Sequence, residues 1–287
     1  MKSLFFKGLA GAAATGTVAT GGFLALQNAN KPTDVKSRLV WEGHTVADVN
    51  RDGVWRAIYL AKKDGEGFSS FVSGSSKSEV GSKLKQECSS LLKVSASDSR
   101  YEDSYKKAKK WCLRPELTTI EMQFDFEDRE FAAGDDDFKN LFALNKGSED
   151  FVNAVKTSAS DFSGTISLDT AYGKVKTWCE SLKSKAPKGD DLKRANAWCT
   201  KPSETLNGLM DKQGFKPVPE DGWSSKFSSL KSSGTDSSLN SEIGATQDNE
   251  GSDKLKTWCT GKNLDTAKIH SLTDDLGKLK SRCFVSK

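Results

Sequence analysis

Six cysteines, spaced as three pairs, constrain the fold of this 287-residue chain more than any other feature. The six are Cys88, Cys112, Cys179, Cys199, Cys259 and Cys283. Gaps within the pairs are 24, 20 and 24 residues, and equivalent cysteines recur after 91 and 80 or 87 and 84 residues. Self-similarity at a fixed period indicates a repeat protein, so the spacing predicts three tandem units of about 85 residues.

Tryptophan precedes four of the six cysteines, in the motifs KKWC, KTWC, NAWC and KTWC. These residues are Trp111, Trp178, Trp198 and Trp258. Four of the seven tryptophans thus belong to one motif, and we expect them to lie in the core of the repeat.

Apolar residues around the cysteines have helical spacing. Leu84, Val175 and Leu255 each stand four residues before the first cysteine of a pair. Before the second cysteine, apolar side chains recur at offsets of 11, 7 and 4 residues, as in Leu272, Leu276 and Leu279 before Cys283. Offsets of three and four residues mark one face of an α-helix, so both cysteines of each pair are predicted on helices.

Aromatic residues start each unit with a further helix. The spacing from Trp55 to Phe68 equals that from Phe138 to Phe151, and Trp223 begins a third copy. Each unit is therefore predicted to contain three helices, one led by an aromatic residue and one for each cysteine. The predicted fold class is mainly α, with three tandem three-helix units after an N-terminal apolar helix.

Composition between the units predicts linkers. Residues 121–137 hold eight acidic side chains against Arg129 alone, and nine serines between 224 and 241 predict a short first helix and a mobile connection in the third unit. The predicted organisation is an anchor at 1–30, a linker at 31–50, a helical unit at 51–117, an acidic linker at 118–136, a helical unit at 137–204, a linker at 205–219 and a helical unit at 220–287.

The first thirty residues have the character of an export or anchor segment. Lys2 and Lys7 precede an uncharged run over residues 8–30, which is long enough to cross a hydrocarbon core as a helix. We expect an uncleaved anchor with the amino terminus in the cytoplasm and the body of the chain outside the cell. Five glycines dilute the run, so a cleaved signal peptide of a secreted protein and a cytosolic Gly/Ala-rich tail remain alternatives.

Overall charge argues against nucleic acid as a partner. Lys and Arg number 43 against 39 Asp and Glu, which leaves a formal charge of +4 with no one-sided basic segment. One local cluster, Lys106, Lys107, Lys109 and Lys110, is expected to be the solvent-facing side of an amphipathic helix, with an anionic surface as the alternative ligand.

Pairing within each unit is the predicted state of the cysteines: Cys88 with Cys112, Cys179 with Cys199, and Cys259 with Cys283. Buried free thiols are the alternative. In a simple antiparallel hairpin Cys88 and Cys112 would not be level, so a disulfide requires a kink or an early helix end. No C-x-x-C motif occurs and His44 and His270 are the only histidines, so no metal site is expected.

The sequence contains no nucleophile elbow, phosphate loop, H-E-x-x-H motif or dinucleotide fingerprint. The residues Asp125, Glu127 and Arg129 break the ligand alternation of a calcium loop. We therefore predict no catalytic, cofactor-binding or metal-ligating residue, no cofactor, and no enzyme activity. The alternatives are a secreted or anchored hydrolase that uses an unrecognised carboxylate site, and a cytoplasm-facing scaffold with free thiols.

The opening MKSLFFKGLAG, the Gly/Ala/Thr-rich run that follows it, and the motifs KKWC, KTWC and NAWC resemble expanded, uncharacterised paralogous families of haemotropic mycoplasmas. That resemblance implies a membrane-associated or surface product with a role in antigenic variation or host-cell contact. It carries over no catalytic residue. The expected partners are the membrane, through residues 1–30, and a host or extracellular protein, with the oligomeric state left open.

Overall fold

A computed structural model describes residues 31–234, 236–272 and 276–287, so the predicted anchor at 1–30 lies outside the described residues. The described chain is mainly helical, which confirms the predicted class. Within the described ranges, no helix combines the length and the apolar character that crossing a bilayer would need. Strand in these ranges is confined to a two-stranded antiparallel ribbon and isolated bridges.

The α-helices follow one another in a regular order. In the described residues they are α1 Val35–Trp41, α2 Asp52–Lys62, α3 Phe68–Phe71, α4 Lys77–Leu92, α5 Tyr101–Trp111, α6 Ile120–Phe126, α7 Asp135–Asn145, α8 Glu149–Lys156, α9 Leu168–Lys183, α10 Gly189–Trp198, α11 Leu206–Lys212, α12 Trp223–Ser233, α13 Leu239–Ile243, α14 Gly251–Thr260 and α15 Leu276–Cys283. Short 3-10 turns cover Glu220–Gly222, Asp248–Glu250 and Ile269–Leu272, and the strands are β1 Phe215–Pro217 and β2 Phe284–Ser286.

Two compact parts make up the chain. The smaller part comprises residues 31–46 and 86–113, and the larger part comprises 47–85 and 114–287. The smaller part therefore contains α1, the end of α4, and α5. All later helices belong to the larger part, together with α2, α3 and the beginning of α4.

One succession of five helices occurs three times along the chain. A seven-residue helix (α1, α6, α11) precedes an eleven-residue helix (α2, α7, α12), a short helix (α3, α8, α13), a helix that carries the first cysteine (α4, α9, α14) and a last helix that ends at the second cysteine (α5, α10, α15). We call these successions repeat 1 (31–113), repeat 2 (114–200) and repeat 3 (201–287).

Three helices per unit is therefore too few. The predicted units at 51–117, 137–204 and 220–287 each contain four α-helices among their described residues, because α3, α8 or α13 separates the aromatic-led helix from the helix of the first cysteine. These extra helices have four, eight and five residues. Segments this short complete barely one or two turns, so they leave little periodicity in the sequence.

The linkers predicted at 31–50, 118–136 and 205–219 each contain one of the seven-residue helices. Asp34, Thr119 and Thr205 cap them, and each side-chain oxygen accepts a hydrogen bond from the backbone N–H three residues later. The first and fifth residues of each helix are buried: Val35 and Leu39, Ile120 and Phe124, Leu206 and Met210. The acidic segment is consequently a folded element at residues 120–126 and not a solvated linker.

Backbone hydrogen bonds tie each seven-residue helix to the pair of helices that carries the cysteines. The N–H groups of Val35, Ile120 and Asn207 donate to the carbonyls of Val94, Lys185 and Leu264, at 3.0, 2.8 and 3.3 Å. After the same helices the chain makes the bridges Val46–Leu113 and Phe131–Thr200, and in repeat 3 the ribbon of β1 and β2. These short helices are thus held by tertiary contacts at both ends.

Within the larger part, repeat 1 contacts repeat 2 through α2 and α6. Gly53 of α2 lies so close to α6 that a Cβ there would overlap the carbonyl oxygen of Asp125. Arg56 donates to the Asp125 carboxylate at 3.1 Å, and Lys77 donates to it at 2.6 Å. The ionic partners explain how Asp125 is buried at this contact.

The serine-rich helix of repeat 3 differs from the prediction. It is not short: α12 spans Trp223–Ser233, and it buries Trp223, Phe227 and Leu230. Its serines occupy the other positions and are exposed. A helix can be rich in serine when one apolar stripe faces a core and the serines lie on its other sides. The serine content alone does not reveal that stripe.

Candidate functional site: the cysteine pairs and the surface around them

Three cysteine pairs organise the repeats. The structure joins Cys88 to Cys112, Cys179 to Cys199 and Cys259 to Cys283, with Cα atoms 5.5, 5.6 and 5.6 Å apart. This is the pairing that the repeat spacing predicts. An early helix end supplies the required geometry, because α5 stops at Trp111 and Cys112 leaves helical geometry with φ −109° and ψ 10°.

The disulfides lie inside apolar cores. All six cysteines are buried, and so are Leu84, Val175 and Leu255 one turn before the first cysteine of each pair. Ala108, Ala195 and Leu279, four residues before the second cysteine, are also buried. The apolar stripes predicted around the cysteines are therefore confirmed at these positions, whereas Leu272 lies in the 3-10 turn and outside α15.

The four motif tryptophans do not share one environment. Trp111 and Trp178 are buried, and Trp198 and Trp258 are half-buried. In repeat 2 the ring of Phe151 meets Trp178 and Trp198 edge-on, with centroids 6.3 and 5.8 Å apart. Such aromatic contacts add to the burial of apolar area, so this cluster joins α8 to the disulfide-linked helices.

Repeat 3 replaces one of these tryptophans by a buried arginine. Arg282 precedes Cys283 as Trp111 precedes Cys112 and Trp198 precedes Cys199. Its side chain is fully buried and lies over the Trp258 ring, with Cζ 4.9 Å from the centroid. A guanidinium on an aromatic face thus stands where repeat 2 has the contact between Trp178 and Trp198.

Two carboxylates neutralise Arg282. It donates to Asp236 through Nε at 2.6 Å and Nη2 at 2.8 Å, and to Glu242 through Nη1 at 2.8 Å. Hydrogen bonding from Arg282 lowers the pKa of Asp236. The pKa of Glu242 falls to about 2, chiefly through the hydrogen bond from Lys278. Both carboxylates are ionised at neutral pH, which makes this a structural ion-pair network.

A second polar cluster lies in the smaller part around Glu42. The Tyr105 hydroxyl, the Lys109 ammonium and the Arg38 guanidinium all donate to its carboxylate. The hydrogen bond from Tyr105, followed by those from Lys109 and Arg38, lowers the pKa of Glu42 to about 2. A carboxylate this acidic is a poor general acid or base at neutral pH, so the cluster fastens α1 to α5.

The two histidines occupy structural settings. His44 follows α1 with Nε2 3.7 Å from a Glu42 oxygen. His270 lies in the 3-10 turn Ile269–Leu272, where its backbone N–H donates to Asn140 at 2.9 Å. Its Nδ1 is 2.8 Å from the same amide oxygen, and burial lowers its pKa. His270 and the buried Asn140 therefore connect repeats 2 and 3.

The lysine cluster on α5 faces solvent. Lys106, Lys107, Lys109 and Lys110 are all exposed, as predicted for the polar side of an amphipathic helix. Lys107 pairs with Asp103 at 2.8 Å, and the Lys110 ammonium lies 4.6 Å from the centroid of the Trp111 ring. The cluster is basic and accessible, and the anionic ligand considered from the sequence stays a prediction.

A cavity of about 440 Å³ adjoins the third disulfide. Cys259, Cys283 and Trp223 form part of its wall, and Lys256 and Glu220, which pair with each other, lie at its edge. Among the residues that the structure describes, no group of three or more His, Cys, Asp and Glu side chains is arranged to hold a metal ion. Besides the ion pair, Asn207 and Asp265 line the cavity, and the Asn207 amide donates to the Asp265 carboxylate.

Large apolar side chains are exposed on α1, which the sequence motifs did not single out. Val40 is 56% exposed and Trp41 is 69% exposed. Their positions correspond to Asp125 and Phe126 at the end of α6 and to Asp211 and Lys212 at the end of α11. Aligning the three seven-residue segments would have revealed the apolar pair as the exception.

Comparison with models of protein families, with curated proteins and with solved structures gives no match to this chain.

Proposed function

We propose that this chain is a membrane-anchored surface protein that acts by binding a host or extracellular protein, or as a variable antigen, and not by catalysis. In this proposal an N-terminal apolar helix at 1–30 leaves the body of the chain outside the cell. The body consists of three tandem repeats of the five-helix, one-disulfide succession.

The observation that carries the proposal is that the same positions are buried in all three repeats beneath a surface that differs between them. Ala108, Ala195 and Leu279 are buried at equivalent places one turn before the second cysteine. Two residues later, the exposed positions hold Lys110, Ala197 and Ser281. A disulfide closing a loop of 20 to 24 residues contributes about 3 kcal/mol, so each small core tolerates such surface changes.

Disulfides also favour an extracellular location. Stable disulfides form in oxidising compartments and are rare in the cytosol, where thiols are kept reduced. All six cysteines are within bonding distance of a partner in the same repeat. The pairing and the apolar leader are thus two features of the chain that support display outside the cell.

Mild trypsin treatment of intact producing cells tests this location. The chain has 43 Lys and Arg residues, many of them exposed, so a displayed body offers ample cleavage sites. We expect mass spectrometry to find released peptides from residues 50–287 while a cytosolic control protein stays intact. Complete protection until lysis would contradict surface display and favour the cytoplasm-facing scaffold.

A further inference from the structure

Helix α1 carries an apolar patch where the equivalent helices do not. We define the α1 patch as Val40 and Trp41, which are 56% and 69% exposed. Repeat 3 exposes Asp211 and Lys212 at the same positions. The end of the seven-residue helix can therefore be polar where it faces water. The exposed apolar pair of α1 differs, and such a pair indicates a surface that another molecule covers.

Repeat 2 shows how these positions are covered elsewhere. Asp125 is buried by contacts with Arg56 and Lys77, and Arg51 lies over the Phe126 ring at 5.0 Å. All of these partners come from the preceding repeat. Repeat 1 follows the leader segment instead of a repeat, so its apolar positions need an occupant of a different kind.

The proposed anchor brings a membrane surface close to α1. The backbone is already fixed at Thr33, whose carbonyl accepts a hydrogen bond from the N–H of Ala96 at 2.8 Å. The uncharged run ends at Asn30, and three residues span at most about 11 Å. If residues 8–30 enter a bilayer, Thr33 lies within about 11 Å of the end of that segment, so the chain reaches α1 close to the lipid headgroups.

Charge in the smaller part matches an anionic lipid surface. Residues 31–46 and 86–113 contain nine Lys and Arg against six Asp and Glu. Lys31 and Lys36 are exposed, and Lys36 lies one helical turn before Val40. Basic side chains at a membrane surface are attracted to anionic lipids, and tryptophan is enriched at the level of the headgroups.

We infer that the α1 patch, together with the exposed Lys31 and Lys36, docks on the headgroup region of the bilayer that holds the N-terminal segment. This inference rests on the membrane anchoring proposed above and adds a second contact to it. Docking would fix the orientation of the smaller part at the membrane, since a single tether leaves that orientation free.

Quenching by brominated lipids tests the inference on the full-length protein, residues 1–287. The protein is reconstituted in vesicles of phosphatidylcholine and phosphatidylglycerol, with brominated phosphatidylcholine as quencher, and flotation of the vesicles is measured first. We expect the protein to float and its tryptophan emission to be quenched. Trp41→Phe should lose most of that quenching, because Trp41 is the exposed tryptophan of α1.

Trp258→Phe is the matched control, because Trp258 is a half-buried tryptophan of repeat 3. It should keep the wild-type quenching. Lys36→Glu should weaken quenching in the anionic vesicles and leave it unchanged in vesicles of phosphatidylcholine alone.

Each other outcome contradicts the inference in a distinguishable way. If the protein floats with the vesicles but its quenching does not depend on Trp41, docking is overturned and membrane anchoring stands. Failure to float would overturn anchoring and docking together. A Trp41 emission that shifts to the blue with protein concentration in the absence of vesicles would overturn docking by showing that a second copy covers the patch.

Discussion

At the scale of the residue, Arg282 shows how one repeat can change a core position and keep the fold. A fully buried guanidinium replaces a tryptophan, and Asp236 and Glu242 together neutralise it. Removing one partner of a buried ion pair leaves the other charges without compensation in a low dielectric. Arg282 thus depends on Glu242 and Asp236, which precede it in the chain by 40 and 46 positions.

Arg282→Met should destabilise the protein by about 3 kcal/mol, because two carboxylates lose their shared cation. Urea denaturation at neutral pH measures the loss. Lys280→Met changes an exposed residue of the same helix and should shift the free energy of unfolding by less than about 0.5 kcal/mol. Equal effects of the two substitutions would contradict the structural role of Arg282.

The same network predicts loss of stability in acid. Folding lowers the pKa of Asp236 and brings that of Glu242 from 4.5 to about 2, so the folded state favours their ionised forms. This contribution is present above the unfolded pKa values and is lost as the pH falls from about 4.5 towards 2. Thermal melts of the wild type should decline over this window, and Arg282→Met should decline less. Parallel declines would argue against pairing between Arg282 and Asp236.

At the scale of the element, the contact between α2 and α6 depends on a residue without a side chain. Gly53 lets the two helices approach to a distance that leaves no room for a Cβ beside Asp125. Gly173 of α9, in contrast, has no neighbouring atom within 4 Å of the place that a Cβ would take. The two helical glycines therefore separate the effect of close packing from that of helix propensity.

Gly53→Ala should destabilise the protein by about 1 to 3 kcal/mol, because the methyl group overpacks the contact with α6. Gly173→Ala should stabilise it by up to about 1 kcal/mol, since alanine favours the helix and meets no obstacle. Denaturant titration of both variants measures the effects. A stabilising Gly53→Ala would show that α2 and α6 do not approach as closely as described.

The elements differ in how far the sequence can predict them. Leu84, Val175 and Leu255 mark the helices of the first cysteines because those helices are ten to sixteen residues long and keep one apolar stripe. The seven-residue helices have only two buried apolar positions shared by all three copies, and backbone bonds to distant carbonyls hold them in place. Backbone bonds leave no pattern of side chains in the sequence. Composition therefore predicts linkers at the places where α1, α6 and α11 lie.

The same limit applies to the residues of the candidate site. Arg282 and Asp236 are far apart in sequence and have no spacing that predicts contact. Asn140 meets His270 across 130 residues. The cysteine pairs, in contrast, follow from repetition, which is a property of the sequence itself.

At the scale of the whole molecule, three disulfide-linked repeats distribute stability among small cores. Each repeat has about 85 residues and one internal cross-link, and a unit this small buries a smaller share of its surface than a larger domain does. The stability of the protein therefore depends on oxidation of the cysteines. Losing one disulfide should act first on the core of its own repeat.

Replacing both cysteines of one pair, as in Cys179→Ala with Cys199→Ala, should cost about 3 kcal/mol and lower the melting temperature by several degrees. The double substitution avoids leaving a free thiol that forms new pairs. Scanning calorimetry of the oxidised protein measures the change in melting temperature. Dithiothreitol opens the disulfides, so in its presence the melting temperatures of the variant and the wild type should lie closer together. An unchanged melting temperature would mean that the cross-link does not stabilise repeat 2.

We expect each repeat to be closed by its own disulfide in the protein as cells make it. The direct measurement is mass spectrometry of peptides from protein that was alkylated before lysis and digested without reduction. We predict three linked peptide pairs, containing Cys88 with Cys112, Cys179 with Cys199, and Cys259 with Cys283. Six alkylated cysteines, or links between repeats, would contradict a disulfide within each repeat.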